Sequence, residues 1–326
     1  MRWRGALFLI PFTAMEDVKV EDLQWAAGFL DGDGCVHVTT LGQVVVCAGV
    51  AEPTWGALDR LQELFGATIR VDKTSFPNIN PKRKYAVASW QLTSAPAAQF
   101  CRLIAPHSHI KRAQFELGGT WEGVPLKRPL LTLTVEKEGG DSFTGDRTQV
   151  CEWLGVGMGT LDRMRKDPPA GWSFTVTKLK GVDREARAQM KKEMARLKKV
   201  PHLAVEGPLP LPYIAGFLDA DGCFSLKRDQ PMVSVAQKHP AICQAFYQQF
   251  KGYIGHCNGI RSDGRGRDEW QWFARGNTSS EIMQATLPFL RTVKKRRAEL
   301  LLERDPHNRD WVDEELEELK KSRHSE

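Results

Sequence analysis

Two segments far apart in the chain end in the same pattern of acidic residues. Residues 23–36 read LQWAAGFLDGDGCV and residues 211–224 read LPYIAGFLDADGCF, so that G-F-L-D-x-D-G-C occurs twice without a gap. If the two segments met, Asp33 and Asp221 would repel each other unless protons or cations neutralised them. Carboxylate oxygens of this kind suit Mg²⁺, which can bind a substrate phosphate and activate water. The repeated pattern therefore indicates metal-dependent phosphoryl chemistry.

One copy of D-x-D-G could be only the end of a helix with a glycine cap. Two copies that both keep both aspartates favour a functional site. Each segment is predicted to be a helix with small residues four positions apart, Gly28 and Gly32 in one copy and Gly216 and Ala220 in the other. Small residues at this spacing let two helix backbones pack closely. We therefore expect the helices to lie side by side, with Gly28 and Gly216 at their interface and the last aspartates close together.

The same series of predicted elements follows each motif. Two strand-like runs, a helical run and a second strand pair lead to a basic helix start, PHSHIKRAQFEL in the first half and PFLRTVKKRRAEL in the second. Alternating apolar and polar residues in YAVASWQLT and EWQWFAR are typical of half-buried antiparallel strands. The sequence therefore predicts an α+β fold with two pseudo-symmetric αββαββα halves.

The motif pair resembles the LAGLIDADG motif of homing endonucleases, in the single-chain form that carries two motifs. The resemblance covers about residues 20–120 and 208–305, with Ala26 where the family motif begins with Leu. It implies a saddle of two four-stranded antiparallel sheets astride double-stranded DNA, with the motif helices at its centre. It also implies a monomer that hydrolyses both strands of a long, specific target, as in intron homing, and no association with membranes.

The resemblance implies roles for particular residues. The last aspartate of each motif and the preceding carbonyl would bind two or three divalent ions, Mg²⁺ with Mn²⁺ as a substitute; these ligands are Asp33, Asp221, Gly32 and Ala220. Asp31 and Asp219 would instead hold the helix ends together. A lysine before the last helix of each half and a polar residue after its second strand would complete the catalytic set: Lys111, Lys294, Gln237 and Glu52. A lysine near the scissile phosphate would stabilise developing charge or order the attacking water.

Polar side chains on the outward faces of the two sheets would read the major groove of the target. Strand parity and loop charge give the candidates: His37, Thr39, Gln43, Lys84, Ser89 and Gln91 in the first half, and Lys227, Arg228, Arg261, Arg265, Arg267, Gln271 and Arg275 in the second.

The segment between the halves is too long for a linker. It reads as strand, turn and strand, then two helices in DRTQVCEWLGVGMGTLDRMRKD, then a closing strand. It resembles a nuclease-associated modular repeat with a helix-turn-helix, a small DNA-binding unit that would present Thr160, Arg163 and Arg165. A structural spacer is the alternative. Residues 178–199 hold nine basic and three acidic side chains. The predicted basic helix from Asp183 to Lys199 would follow phosphates nearby.

Composition places the chain among folded, intracellular proteins. Hydrophobic residues make up 41% and charged residues 26%, and no run of 18 apolar residues could form a membrane-spanning helix. The seven cysteines are odd in number, lie mostly among apolar residues and include no C-x-x-C pair. This pattern predicts reduced, buried thiols in an intracellular protein and argues against a zinc site. The resemblance to DNA nucleases implies a DNA-containing compartment. The predicted domains are an N-terminal extension (1–19), a first motif domain (20–122), an inserted module with a basic linker helix (123–207), a second motif domain (208–304) and a charged C-terminal helix or tail (305–326).

Two other functions could use the same scaffold. An intron RNA maturase would bind and help to fold RNA without cutting DNA, and a DNA-binding regulator would recognise its site without catalysis. Neither function needs both Asp33 and Asp221, so their presence favours a nuclease.

Overall fold

The computed structural model describes residues 15, 17–40, 42–51, 56–72, 87–122, 131–145, 147–178, 184–200, 204–205, 207–260, 266–305 and 307–321. Three antiparallel sheets and twelve α-helices make up these parts of the chain, which confirms the α+β class. No helix in the described ranges combines the length and the apolar character needed to cross a bilayer.

The first half is built around one four-stranded sheet. Its elements are α1 (Val20–Asp33), β1 (Gly34–Val38), β2 (Val44–Ala51), α2 (Gly56–Phe65), β3 (Thr68–Asp72), β4 (Val87–Thr93), α3 (Ser94–Ile104) and α4 (Arg112–Gly119). The strands lie in the order β1-β2-β4-β3, all antiparallel.

A smaller unit with its own hydrophobic cluster follows. Its elements are β5 (Leu131–Lys137), β6 (Ser142–Gly145), α5 (Arg147–Leu154), α6 (Met158–Lys166) and β7 (Trp172–Lys178), in the order in which the sequence predicted two strands, two helices and a strand. Leu133, Val135, Val150 and Leu161 form its buried centre with Cys151. The basic helix α7 (Arg184–Leu197) is not a free linker, because its Met194 is buried in the main core and it packs against β1 and α4.

The second half repeats the first. Its elements are α8 (Leu211–Asp221), β8 (Gly222–Lys227), β9 (Gln230–Gln237), α9 (Pro240–Phe250), β10 (Tyr253–Ile260), β11 (Gly266–Arg275), α10 (Asn277–Thr286), α11 (Val293–Glu303) and the C-terminal α12 (Arg309–Lys321). The sheet order β8-β9-β11-β10 is the counterpart of the first sheet.

Matching tryptophans fix each sheet to the helix beneath it. The indole N–H of Trp90 on β4 donates to the carbonyl of Gly66 after α2, at 2.7 Å. Trp272 on β11 donates in the same way to the carbonyl of Lys251 after α9, also at 2.7 Å. Both side chains are fully buried. The repeat read from the sequence is therefore a repeat in three dimensions.

Each half contains one helix more than the predicted αββαββα series. In the first half this helix is α3, whose Ala97, Phe100, Cys101 and Ile104 are buried at the i, i+3, i+4, i+7 spacing of an amphipathic helix. In the second half it is α10, on which Ser279, Ile282, Met283 and Thr286 repeat the spacing. The small and polar residues among these positions hide the apolar stripe in the sequence.

Candidate active site at the interface of the motif helices

The two motif helices, α1 and α8, touch backbone to backbone. A Cβ atom placed on Gly28 would overlap the carbonyl oxygen of Tyr213 and would lie 2.9 Å from the amide nitrogen of Phe217. One placed on Gly216 would overlap the carbonyl oxygen of Trp25 and would lie 2.9 Å from the amide nitrogen of Phe29. Only glycine fits at these two positions, and the close approach brings the ends of the helices together.

Hydrogen bonds between the halves lock this pair in place. Trp25 on α1 donates its indole N–H to Asp219 Oδ2 on α8, at 3.1 Å. Tyr213 on α8 donates its hydroxyl to Asp31 Oδ2 on α1, at 2.8 Å. Trp25 and Tyr213 occupy the same position of the two motifs. They differ in residue type, which is why the repeat in the sequence did not identify them as a matched pair.

Asp31 and Asp219 also fix the loop before the last helix of their own half. Asp31 accepts from Ser108 Oγ at 2.7 Å and from the backbone N–H groups of residues 109, 110 and 111, at 2.8–3.0 Å. Asp219 accepts from the N–H groups of Arg291 and Thr292 and from the Thr292 hydroxyl. Both carboxylates are buried. Their donors fill the acceptor positions, so these aspartates organise the site from behind.

The loops held in this way place one lysine at the end of each motif helix. Lys111 Nζ donates to the carbonyls of Leu30, Gly32 and Gly34, at 2.7–3.1 Å. Lys294 Nζ donates to those of Leu218, Asp219 and Ala220, at 2.7–2.9 Å. A cation that satisfies the last carbonyls of a helix stabilises its C-terminus. Both lysines therefore have a structural role at the position where the sequence predicted a catalytic one.

Asp33 and Asp221 lie beside these lysines at the accessible end of the helix pair. A Cβ on Gly32 would lie 3.0 Å from Asp221 Oδ2, so the second carboxylate rests against the first helix. Asp33 reaches solvent, yet the surrounding protein lowers its hydration and raises its pKa to about 6, with the charge of Asp221 adding to the effect. Loss of hydration also raises the pKa of Asp221, against the opposing charges of Lys294 and Lys111. Two carboxylates held in this way favour a bound cation.

The residues that support the two carboxylates differ between the halves. Gln237, on β9, donates its amide to Asp221 Oδ2. Strand register matches Gly222 and Val235 with Gly34 and Ala48, so the first-half counterpart of Gln237 is Val50, a buried apolar residue. The prediction that Glu52 stands opposite Gln237 is thus not supported by the register, and Glu52 itself lies outside the described residues.

The sheet faces turned away from the core carry several predicted DNA contacts. In the first half His37, Ser89 and Gln91 lie on this face. Thr39 and Gln43 lie in the β1–β2 turn, where Thr39 Oγ1 accepts from the Gln43 N–H at 3.1 Å. Two more exposed residues of this face, not predicted from the sequence, are Thr68 and Arg70, which pair with Gln91 and Ser89. Lys84 lies outside the described residues.

In the second half, Lys227 is exposed at the end of β8 and Arg228 lies in the adjoining turn. Gln271 and Arg275 are half-buried on one face of β11, where the Arg275 guanidinium covers the Phe273 ring at 4.8 Å. Arg267 lies on the same strand, and Arg261 and Arg265 lie outside the described residues. In the small unit, Thr160, Arg163 and Arg165 are exposed on α6.

The lysine contacts predict a stability effect that separates Lys294 from its neighbour. Lys294→Met should remove the lysine donor from three carbonyls at the end of α8, at a cost on the order of 1–3 kcal/mol. Lys295→Met removes the same charge one position along, from a half-buried side chain, and should cost much less. Urea unfolding of both variants measures the difference. Equal losses would show that the carbonyl contacts do not stabilise the helix end.

The chain was compared with known proteins by sequence and by structure. No protein-family model matches the sequence, and no curated protein matches it significantly. Among solved structures, the chain is similar to the LAGLIDADG meganuclease I-CpaMI bound to uncleaved DNA, at 12% identity and a TM-score of 0.46, over 93% of this chain and 99% of that one. It is also similar to I-AabMI bound to uncleaved DNA (11%, 0.43, 93% and 98%) and to I-SmaMI bound to uncleaved DNA in the presence of calcium ions (12%, 0.42, 92% and 97%).

Proposed function

We propose that this chain is a site-specific DNA endonuclease that makes a metal-dependent double-strand break in a long target. The observation that carries the proposal is the convergence of Asp33 and Asp221 at the end of one pseudo-symmetric helix pair, each beside a lysine that donates to the carbonyls of the helix end. The two strands of a duplex are themselves related by a twofold axis. A pair of matched carboxylates on a matched scaffold suits one cut in each strand.

The oxygen ligands at the helix ends fit a hard divalent cation. Asp33 and Asp221 offer carboxylate oxygens, and the carbonyls of Gly32 and Ala220 keep a second lone pair beside the one that accepts from lysine. Oxygen donors with room for water are what Mg²⁺ prefers, and Mn²⁺ would accept the same set. When bound, Mg²⁺ would polarise the scissile phosphate and supply an activated water.

The chain's own residues hold this centre and shape its electrostatics. Lys111 and Lys294 keep the helix ends intact and place positive charge within reach of a phosphate bound at the aspartates. Gln237 orients the carboxylate of Asp221. The half that carries Asp33 has Val50 at the matching position, so we expect the two strands to be cut at different rates.

The outward sheet faces would bind the duplex on both sides of the centre. In the first half, Gln91 and Thr68 are neighbours across β4 and β3, and Ser89 and Arg70 are the next pair. Hydrogen-bonding and cationic side chains on an exposed antiparallel sheet suit the major groove. A chain that contains both halves would act as a monomer. A maturase or a non-catalytic regulator would have no need for the paired carboxylates, which is why we favour the nuclease.

The small unit should add affinity but not catalysis. Replacing residues 131–178 with a flexible linker, while keeping α7, leaves the helix pair and both four-stranded sheets unchanged. We expect such a chain to cut its central site at higher enzyme concentration and to protect a shorter stretch of target. Each phosphate contact that is lost with the small unit should make the slope of log K against log salt less steep by roughly 0.9. A truncated chain with an unchanged salt slope and footprint would identify the unit as a spacer.

Cleavage of a randomised duplex library tests the proposed function. The purified full chain is incubated with the library in Mg²⁺, and the cut ends are captured and sequenced. The proposal predicts one long shared sequence that is broken in both strands. Cut ends with no shared sequence would contradict site specificity, and a library left intact across Mg²⁺ and Mn²⁺ would contradict the nuclease.

A further inference from the structure

Three side chains of types that commonly bind metals lie together on the outward face of the first sheet. Cys35 and His37 lie two residues apart on β1, and Cys47 on β2 is the Cα partner of Cys35. Their Sγ, Nδ1 or Nε2, and Sγ atoms all lie within 4.8 Å of one another. All three residues are half-buried, so the cluster is supported by the sheet and open to solvent. The sequence spacing argued against a zinc site, because it contains no C-x-x-C pair.

The distances within the cluster fit a tetrahedral cation with little adjustment. With Zn–S bonds of about 2.3 Å and Zn–N bonds of about 2.0–2.1 Å, tetrahedral ligands lie about 3.6–3.8 Å apart. Cys35 Sγ and His37 Nδ1 are 3.8 Å apart. Neighbouring strands hold the third ligand in the same row, within 4.8 Å of the other two, so a bound ion would need only small movements of the side chains.

A lysine ammonium lies beside one of the two sulfurs. Lys198, just beyond α7, has its Nζ 3.2 Å from Cys35 Sγ. An ammonium group at this distance stabilises a thiolate and can remain as a hydrogen-bond donor to a metal-bound sulfur. The buried Met194 anchors α7 beside β1 and so fixes the position of Lys198.

We propose that Cys35, His37 and Cys47 bind one Zn²⁺ ion, with a fourth coordination position open to solvent. Two sulfurs and an imidazole select a thiophilic cation, whereas the carboxylates at the helix ends select a hard one. The site therefore stands apart from the proposed nuclease centre in its chemistry, and the proposal does not depend on that function.

The second half provides a natural contrast within the same chain. Cys223 occupies the position of Cys35, but Ser225 stands where the first half has His37, and Ser234 pairs with Cys223 where Cys47 pairs with Cys35. One thiol and two hydroxyls do not make a zinc site. Within the part of the chain that the structure describes, this contrast predicts one zinc site, and Cys223→Ser is a matched control.

Titration of the reduced, chelator-treated full chain with Co²⁺ tests the site. Excess Mg²⁺ keeps the oxygen ligands at the helix ends occupied. We expect sulfur-to-cobalt charge-transfer absorption and intense tetrahedral ligand-field bands that saturate at one ion per chain, and stoichiometric Zn²⁺ should abolish them. Cys35→Ser, Cys47→Ser and His37→Gln should each weaken Zn²⁺ affinity by more than the roughly 10–100-fold loss that follows removal of a residue hydrogen-bonded to a metal ligand.

Two controls separate loss of the metal site from loss of the fold. Cys223→Ser should bind Co²⁺ and Zn²⁺ as the parent chain does. Circular dichroism confirms that each ligand variant is folded, and His37→Gln, on the outward face, is the variant least disturbing to the core. Absence of the tetrahedral spectrum, or a spectrum that the three ligand variants leave unchanged, would overturn the proposal.

Discussion

Replacing Gly28 with leucine should force the two motif helices apart and strongly destabilise the native fold. The atoms that face Gly28 are the carbonyl of Tyr213 and the amide nitrogen of Phe217, which belong to the backbone of a buried helix and cannot rotate away. Overpacking a core typically costs about 1–3 kcal/mol when side chains can adjust. Because rigid backbone opposes the new side chain here, we expect a loss of more than about 3 kcal/mol. Gly216→Leu should have a similar effect through Trp25.

Urea unfolding measures this loss, and the chain offers a matched control. Gly159 lies on the surface helix α6, and a Cβ placed on it would meet no atom within 4 Å. Gly159→Leu should therefore leave the stability of the main core unchanged. A Gly28→Leu protein as stable as the parent would show that the helices do not meet in solution as they do in the structure.

Replacing Asp33 or Asp221 with asparagine should abolish cleavage while the fold and DNA binding remain. Each substitution keeps the shape of the side chain but removes the charge that would hold a divalent ion. Such an ion contributes several kcal/mol of transition-state stabilisation, so the rate should fall on the order of a thousandfold or more. Cleavage is measured in Mg²⁺ and binding in Ca²⁺, with Asp59→Asn on the exposed face of α2 as the control. Full cleavage by either variant would remove that aspartate from the mechanism.

The same substitutions should not destabilise the metal-free protein. Poor hydration raises the pKa of Asp33 to about 6, so the ionised carboxylate that is present above this pH is less stable in the folded chain than in the unfolded one. Removing the charge at pH 7.5 in a chelator should thus leave the free energy of unfolding unchanged or raised. Asp31→Asn should do the opposite, because Asp31 accepts from Ser108, Tyr213 and three backbone N–H groups, and an amide N–H would face these donors. The contrast separates the aspartate that organises the loop from the aspartate that we propose binds the metal.

The sequence predicted the elements whose signals are local and repeated. Short runs of residues predict the two motifs, the strand pairs and the order of elements in the small unit. These predictions do not depend on the residues outside each run. The additional helices α3 and α10 escaped prediction because serine, threonine and alanine fill part of their buried stripes. The contacts of Trp25 and Tyr213 across the helix pair depend on three-dimensional proximity, which no local pattern encodes.

The prediction for Glu52 rests on an alignment of the helices that the strands do not follow. Aligning the helices α2 and α9 matches Gly66 with Lys251, whose carbonyls accept from Trp90 and Trp272. Aligning the strands matches Ala48 with Val235, a shift of two residues relative to the helices. The first half therefore has two more residues between the matched strand and helix positions, and an alignment carried back from the helix stops two residues short of the strand counterpart of Gln237. Strand register also explains why the sequence did not predict the cluster of Cys35, His37 and Cys47. Its members come together only because Cys35 on β1 pairs with Cys47 on β2.

Strand-resolved cleavage of one selected duplex tests the central claim most directly. The duplex carries a different label on each strand and is incubated with the full chain in Mg²⁺ or in a chelator. We expect that each strand is cut at one fixed position and that both cuts require the divalent ion. We also expect one strand to be cut faster because, among the described residues, a glutamine holds Asp221 but none holds Asp33. Cleavage that persists in the chelator, or that falls at scattered positions along the duplex, would contradict the claim that these paired aspartates form a site-specific, metal-dependent nuclease centre.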